Sequence, residues 1–444
     1  MFNRYLVRKI MVFRLGLTAA APLFVVDGAY AQVIDNYFPA IGSGAGELAQ
    51  EPAQVRAMGA YAPLGKRYGP LRIDADGSES EGYVNNADRT VGGHSSAVVS
   101  TQGNLSAVSK WGKRDQVHGN ISVDDIRYPS RSIQNRTNWT ANVGGVHDFG
   151  HDTIGVSYSH LALVQMPTDL GALVVDHPVP YQVDDGRVSY TATTHGRLSL
   201  IPQVDVQRYH FDSFPPTASQ PGQGYRDRIL VTEGVTAQYE LRGDSHALLV
   251  MQGTEIRYQN QLEDAPSRDS NGASVMAGYD FGMRGPLRFR ALVGYKTRRY
   301  RASAYGSINS PMAEAEFNWA PTRLTSVTLS VRHGIEDSAF ENVVGYTFTG
   351  ARIGVTHTYR RNIVFSAYGQ IQKANYPSAP AFLQNTVLYQ EHNNQTFYGV
   401  GAEVQWLINR HMHLSANYDF SSQNTVGSGQ FPIHTFLVGF HLSL

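Results

Sequence analysis

Apolar and polar residues alternate along most of this chain, and this two-residue period constrains the fold more than any other feature. Phe289, Ala291 and Val293, for example, alternate with Arg288 and Arg290. Successive side chains of a β-strand point to opposite faces, so this period predicts strands that each have one apolar face. Apolar stripes with helical spacing do not occur at comparable length. The pattern therefore predicts an all-β protein.

The candidate strands follow one another from about residue 69 to the C-terminus, and the links between them alternate in length. Links after even-numbered strands are very short, as at Gly196 and Gly243, whereas most links after odd-numbered strands are longer, as at 167–180 and 377–391. Short periplasmic turns and long outer loops are typical of membrane barrels, so the alternation favours a transmembrane antiparallel up-and-down β-barrel over a soluble sandwich. The barrel has about 18 strands, counted from the alternating runs. They cover 69–83, 95–110, 115–128, 136–149, 152–166, 181–195, 197–212, 226–242, 244–259, 270–284, 286–301, 307–320, 323–338, 344–360, 362–376, 392–408, 411–424 and 431–444.

Aromatic residues mark one end of these strands. They lie within a few residues of a short turn, and most belong to the apolar face of their strand. This placement is typical of an aromatic belt at a membrane interface, although aromatic residues are also common in strands generally. The residues concerned are Trp111, Phe149, Tyr239, Phe281, Trp319, Tyr359 and Trp406.

The N-terminus has the features of a secretory leader. Arg4 and Arg8 precede a mostly apolar stretch over 10–26, and a small-x-small sequence follows at 29–31. These features predict a signal peptide over 1–31, with an N-terminal membrane anchor as the alternative. The expected location is the bacterial outer membrane, after the signal peptide is removed.

The remainder of the chain divides in two. Residues 32–67 lack the alternation and are expected to lie in the periplasm or to enter the barrel mouth, and 68–444 form the barrel. No later segment reaches the ~20 consecutive apolar residues of a membrane helix. The chain has no cysteine and a formal net charge of zero, which excludes thiol catalysis and disulfides and gives no sign of nucleic-acid binding.

No catalytic motif is recognisable. The sequence has neither a Gly-x-Ser-x-Gly elbow nor a His-Glu-x-x-His pair, and its histidines are scattered. His411 and His413 have the spacing of a same-face metal pair, but a position in a turn is the favoured interpretation. We therefore expect no enzymatic activity, no cofactor and no metal site.

Strand parity places a set of charged and polar side chains toward the lumen. They are interpreted either as mutually neutralising ladders or as groups that orient a hydrated polymer. The run Lys296, Arg298, Arg299 and Arg301 would attract an acidic sugar polymer or lipopolysaccharide phosphates. The residues predicted to line the lumen are Arg187, Asp205, Gln207, Glu255, Arg257, Arg288, Arg290, Lys296, Arg298, Glu314, Glu316, Arg352, Arg360, Glu403 and Asp419. The long loops 167–180 and 377–391 are expected to fold inward and constrict this lumen.

The chain resembles a family of outer-membrane β-barrel porins found in exopolysaccharide biosynthesis and export clusters. The segment Tyr61-Ala62-Pro63-Leu64-Gly65-Lys66-Arg67-Tyr68-Gly69-Pro70 is similar to the family's lead into the first strand. Gly82-Tyr83-Val84-Asn85-Asn86 resembles its Tyr-x-x-Asn stretch at the first outer loop. The ending Gly439-Phe440-His441-Leu442-Ser443-Leu444 is similar to the signal read by the barrel assembly machinery, although Leu444 replaces the commoner terminal aromatic residue.

The resemblance implies passage or assembly of a secreted polysaccharide. The favoured hypothesis is therefore a non-enzymatic conduit in exopolysaccharide export. The alternative is a general or substrate-specific diffusion porin for small solutes, followed by an outer-membrane hydrolase or an adhesin. The expected partners are outer-membrane lipid and lipopolysaccharide, the barrel assembly machinery at the C-terminal strand, the polysaccharide and periplasmic export proteins, but no nucleic acid.

Overall fold

The computed structural model describes residues 41, 59–112, 114–166, 168–172, 178–194, 196–212, 222–242, 245–261, 265–282, 286–340, 343–377, 394–425 and 429–444. The predicted signal peptide lies outside these ranges, as does most of the predicted segment 32–67. Within the described ranges, no helix is long and apolar enough to cross a bilayer.

The described residues form one antiparallel sheet of 19 strands, and 18 of them close into a barrel. The predicted fold and strand number are confirmed, and the predicted strand ends differ from the observed ones by about three residues at most. The strands are β1 (Lys66–Tyr68), β2 (Leu71–Val84), β3 (Ser96–Trp111), β4 (Asp115–Arg127), β5 (Arg136–Asp148), β6 (Thr153–Gln165), β7 (Val179–Thr193), β8 (Leu198–Phe211), β9 (Arg228–Arg242), β10 (Ser245–Tyr258), β11 (Ser270–Phe281), β12 (Leu287–Tyr300), β13 (Ser307–Thr322), β14 (Thr325–Asp337), β15 (Gly345–Arg360), β16 (Ile363–Asn375), β17 (Gln395–Leu407), β18 (Met412–Thr425) and β19 (Gly429–Ser443).

The two-residue period separates an apolar outer wall from an inner face. On β12, Val293 is 64% exposed, whereas its neighbour Leu292 is fully buried. An outer wall of this kind is stable only against hydrocarbon, because apolar area left in water costs about 25 cal/mol per Å². Every residue of the predicted aromatic belt is exposed at the short-turn end of the barrel, as predicted. By the rule that periplasmic turns are short, this end faces the periplasm.

A seam between the last and the first barrel strand closes the sheet. β19 pairs with β2 from Thr435 opposite Val84 to Ser443 opposite Asp76. At the outer end of the seam, the backbone N–H of His434 donates to the Asn85 side chain at 2.8 Å. At the periplasmic end, the backbone N–H of Gly65 donates to the carbonyl of Leu444 at 3.1 Å. The short strand β1 then continues alongside the start of β2.

At the outer end, the hairpin of β14 and β15 leans into the barrel. The register between β13 and β14 begins at Ala313 opposite His333, so the outer part of β13 is not paired with β14. A Cβ added at Gly345, the first residue of β15, would lie 2.8 Å from the Tyr300 hydroxyl. The hairpin tip therefore packs against the inner face of β12, inside the barrel mouth.

Candidate functional site

The structure places most of the residues predicted for the lumen on the inner face of the barrel. Cross-strand partners share a face, and the strongly exposed residues Val204, Val293 and Trp406 identify the outer one. The inner-face residues are Arg187, Asp205, Gln207, Arg288, Arg290, Lys296, Arg298, Glu314, Glu316, Arg352, Glu403 and Asp419.

Glu255 and Arg257 lie instead on the outer face. They share one row of β10 with the exposed residues Leu249 and Met251, and they form an ion pair with each other there. Sequence parity misplaces them because β10 is apolar on both faces: Leu248 is buried inside the barrel. Alternation therefore did not identify the outer side of this strand.

Arg360 is also displaced from its predicted position. The register between β15 and β16 shifts between Thr358 and Arg360, so Arg360 lies opposite Ile363. Ile363 in turn lies opposite Trp406, which is exposed on the outer face. A β-bulge of this kind reverses the side of every residue beyond it.

Several charged side chains on the inner face are paired with side chains of neighbouring strands. Arg187 donates from Nε to Asp205 at 2.8 Å. On the opposite side of the barrel, the Arg352 guanidinium lies 4.1 Å from the centre of the Tyr368 ring, and the Tyr368 hydroxyl donates to Asp419 at 2.8 Å. These groups fit the interpretation of the inner charges as neutralising ladders.

An apolar patch interrupts the inner face on β10 to β13. Buried Leu248, Val250, Met276 and Leu292 form it, and Ile41 packs against it from the N-terminal segment. The Ile41 carbonyl accepts a hydrogen bond from Arg290 Nη2 at 2.5 Å. Because Arg290 is an inner-face residue, the chain at residue 41 lies inside the barrel.

The loop between β6 and β7 crosses the barrel to the opposite wall. The backbone N–H of Gly171 donates to Gln395 Oε1 at 3.3 Å. The Tyr346 hydroxyl donates to the Leu170 carbonyl at 3.3 Å, and the side chain of Gln423 donates to the Thr168 carbonyl. The expected inward folding of the loop 167–180 is therefore observed for residues 168–172, whereas most of the loop 377–391 lies outside the described residues.

The tip of the β14–β15 hairpin binds this loop, and two further outer loops bind the tip. The backbone N–H of Ala339, in the β14–β15 tip, donates to the Gly171 carbonyl at 2.9 Å. The Ala339 carbonyl accepts from the hydroxyl of Tyr225 in the β8–β9 loop, and the Ser338 carbonyl accepts from Arg268 in the β10–β11 loop at 2.5 Å. We call the four segments 168–172, 222–227, 265–269 and 338–340 the cap. The cap covers part of the outer mouth from within.

Arginines gather beneath the cap near the Asp337 carboxylate. Arg298 Nη1 donates to Asp337 Oδ1 at 2.6 Å, and Arg228 Nε lies 3.5 Å from Asp337 Oδ2. Arg226 and Arg268 join them from two cap loops, and both are about 6% exposed. We call Arg226, Arg228, Arg268 and Arg298 the arginine cluster.

Aromatic faces hold these guanidinium groups in place. Arg226 lies 3.8 Å from the centre of the Phe211 ring, and Arg228 lies 4.1 Å from that of Tyr209. Burial lowers the pKa of Arg226 to about 10, which leaves its guanidinium charged at neutral pH. The cluster therefore concentrates positive charge in a place from which water is largely excluded.

Sequence reasoning found one member of the cluster, Arg298, and missed the other three. Arg226 and Arg268 lie in loops, where strand parity does not apply. Arg228 begins β9, and a run of charges at a loop–strand boundary was the only available signal. Within the described ranges, no group of three or more His, Cys, Asp or Glu residues has the arrangement of a metal site.

A closed barrel of 18 antiparallel strands, with an apolar outer wall, an aromatic belt and a largely polar inner face, defines an outer-membrane barrel of the porin type. The chain belongs to the family described as "Putative beta-barrel porin 2", whose model matches residues 59–442. That description does not mention exopolysaccharide. No curated protein matches the chain.

Solved structures with a similar fold are outer-membrane barrels. The outer membrane protein opdK from Pseudomonas aeruginosa is 12% identical over 84% of this chain and 99% of its own, with a TM-score of 0.42. The copper transporter OprC is 11% identical over 86% and 82%, with a TM-score of 0.45. The FrpB iron transporter from Neisseria meningitidis is 10% identical over 79% of this chain, which spans 62% of FrpB, with a TM-score of 0.42.

Proposed function

We propose that this protein is a passive, non-enzymatic diffusion channel for small polar solutes in the outer membrane, with the cap as its size filter. The observation that carries the proposal is the crossing of residues 168–172 from one wall to the opposite one, beneath the outer mouth. A segment in this position divides the cross-section of the barrel. The family match and the paired polar groups of the inner face support a water-filled path beside it.

The packing of the cap favours small solutes over a polymer. Tyr225, Ala339 and Phe340 form a buried apolar cluster within the cap. Leu170 is buried as well and packs against Tyr346 of the wall. Burying a Leu or Phe side chain contributes about 1.5–3 kcal/mol, so displacing the whole cap for a polymer would be costly. Small solutes need no such displacement.

Vesicle swelling tests the proposal. The full chain, refolded into lipid vesicles, is mixed with sugars of increasing size. We expect swelling with monosaccharides and a steep decline toward tetrasaccharides, with empty vesicles as the control. Vesicles impermeable even to monosaccharides, or equally permeable to long oligosaccharides, would contradict the size filter.

Exopolysaccharide export is the second candidate, and the family resemblance of the sequence supports it. A strain that lacks the gene would then retain polysaccharide in the periplasm, and the intact gene would restore secretion. Unchanged secretion would reject export and leave the diffusion channel as the remaining candidate.

A further inference from the structure

We infer that the arginine cluster beneath the cap is an anion-binding site, and that the solutes of this channel are small organic anions. This inference rests on the proposed function, because it names the substrate class of the same constriction.

Charge is unbalanced in the cluster. Within the described residues, Arg228 and Arg298 form ion pairs with Asp337, and the neighbouring Arg268 acts on the same carboxylate at longer range. Arg226 stacks on the Phe211 ring and donates to Gln165 Oε1 at 2.7 Å and to Gln223 Oε1 at 3.0 Å. The neighbouring Glu336 is already bound to Arg332 at 2.5 Å. Uncompensated buried charge is expensive, so a cluster of this kind is stabilised by an anion that enters it.

Unused donors point to the same ligand. Nε and Nη1 of Arg268 are buried and have no hydrogen-bond partner in the part of the chain that the structure describes. A buried donor without an acceptor costs about 1–3 kcal/mol. The oxygens of a carboxylate or phosphate would accept these hydrogen bonds.

The aromatic rings leave the guanidinium edges available. Arg228 packs over the face of Tyr209, and Arg268 lies 5.0 Å from the centre of the Tyr258 ring. A guanidinium that stacks on a ring keeps its N–H groups in its own plane, where they bind a planar carboxylate in a bidentate manner. The rings also provide an apolar surface for the body of an organic anion.

Basic residues continue from the cluster toward the periplasm. On the inner face of β12, Arg298 is followed by Lys296, which lies opposite Ser274 and Ser310. Arg290 and Arg288 lie further along the same face, where Arg290 is ion-paired with Asp280 at 3.6 Å and lies opposite Glu316. Lys296 is therefore the first basic group that an anion meets after leaving the cluster, and carboxylates partly neutralise the basic residues beyond it.

Ion selectivity in planar bilayers tests the inference on the full chain. Under a KCl gradient we expect a reversal potential that indicates preference for chloride, and block of the chloride current by citrate or inorganic phosphate. Arg268→Gln should raise the half-blocking concentration about tenfold, equivalent to 1.4 kcal/mol, and Arg268→Lys should restore part of the block. Block by citrate alone would identify carboxylates, and block by phosphate alone would identify phosphates.

Arg299→Gln is the matched control, because Arg299 follows Arg298 on β12 but is exposed on the outer face. Arg228→Gln serves as the second variant if Arg268→Gln does not fold, as judged by heat-modifiable mobility on a gel. A channel that conducts without anion preference or block would overturn the anion site and leave the diffusion channel intact. Absence of conductance would instead reject the proposed function itself.

Discussion

At the scale of the residue, Gly65 occupies a confined backbone position at the periplasmic end of the seam. Its φ is +67°, in the left-handed region that glycine enters without steric cost. A Cβ at this position would lie 2.8 Å from the Ile73 carbonyl and 2.2 Å from Asp74 Oδ1. The sequence singled out this segment by its resemblance to a family motif, and the structure supplies the physical reason for the glycine.

We predict that Gly65→Ala destabilises the barrel by about 2–4 kcal/mol, since the left-handed conformation costs ~1–2 kcal/mol and the contact adds strain. Urea-induced unfolding in lipid vesicles measures this change in the free energy of unfolding. Gly69→Ala is the matched control, because Gly69 has a φ of +60° but its Cβ would meet nothing within 4 Å. Equal losses in the two variants would show that the contact at Gly65 has no effect.

At the scale of the element, the cap is made of four segments that are distant in sequence but joined by hydrogen bonds and apolar packing. Ala172 and Ala339 belong to two of them and are both buried. The natural chain has no cysteine, so two introduced thiols can pair only with each other.

We predict that the double variant Ala172→Cys/Ala339→Cys forms a disulfide on oxidation and that channel conductance is then unchanged, because small solutes pass beside the cap without displacing it. Single-channel recording before and after addition of a reductant measures the current directly. The two single variants should not respond to oxidation. A fall in conductance on cross-linking that the reductant reverses would mean that the cap opens during transport and would contradict a fixed size filter.

Strands and cap differ in how far the sequence determines them. The two faces of a strand such as β17 can be assigned from sequence, because lipid on one side and water on the other impose a strict alternation. On β17 the lipid-facing side chains run from Tyr398 to Trp406. The faces of β10 cannot be assigned from sequence, because the apolar residues Leu248 and Leu249 lie on opposite faces. The cap has no period at all, and contacts such as that between Tyr225 and Ala339 join segments that only the closed barrel brings together. Sequence patterning therefore predicts the wall and not the site.

At the scale of the whole molecule, the barrel is occupied from both ends. The cap occupies the outer mouth, and Ile41 lies on the apolar patch of β10 to β13 inside the barrel. Residue 41, which belongs to the predicted segment 32–67, lies inside the barrel, and most of that segment lies outside the described residues.

We predict that Ile41→Ala releases this part of the chain from the wall and raises conductance roughly twofold, because truncating a buried Ile typically costs about 2–5 kcal/mol of packing. Ile41→Leu conserves volume and should leave the current unchanged. Single-channel recordings of both variants provide the comparison. The interpretation of Ile41 as an obstruction would be refuted by equal currents in all three proteins.

The seam also includes a contact that depends on closure of the barrel. Gly65 bonds to the carbonyl of Leu444, and Ile41 bonds to Arg290, so both N-terminal contacts need partners that are synthesised much later. The Ile41 contact needs only β10 to β13, whereas the Gly65 contact also needs the end of β19. The hydrogen bond between Gly65 and Leu444 therefore forms only in a closed barrel, and its presence reports closure.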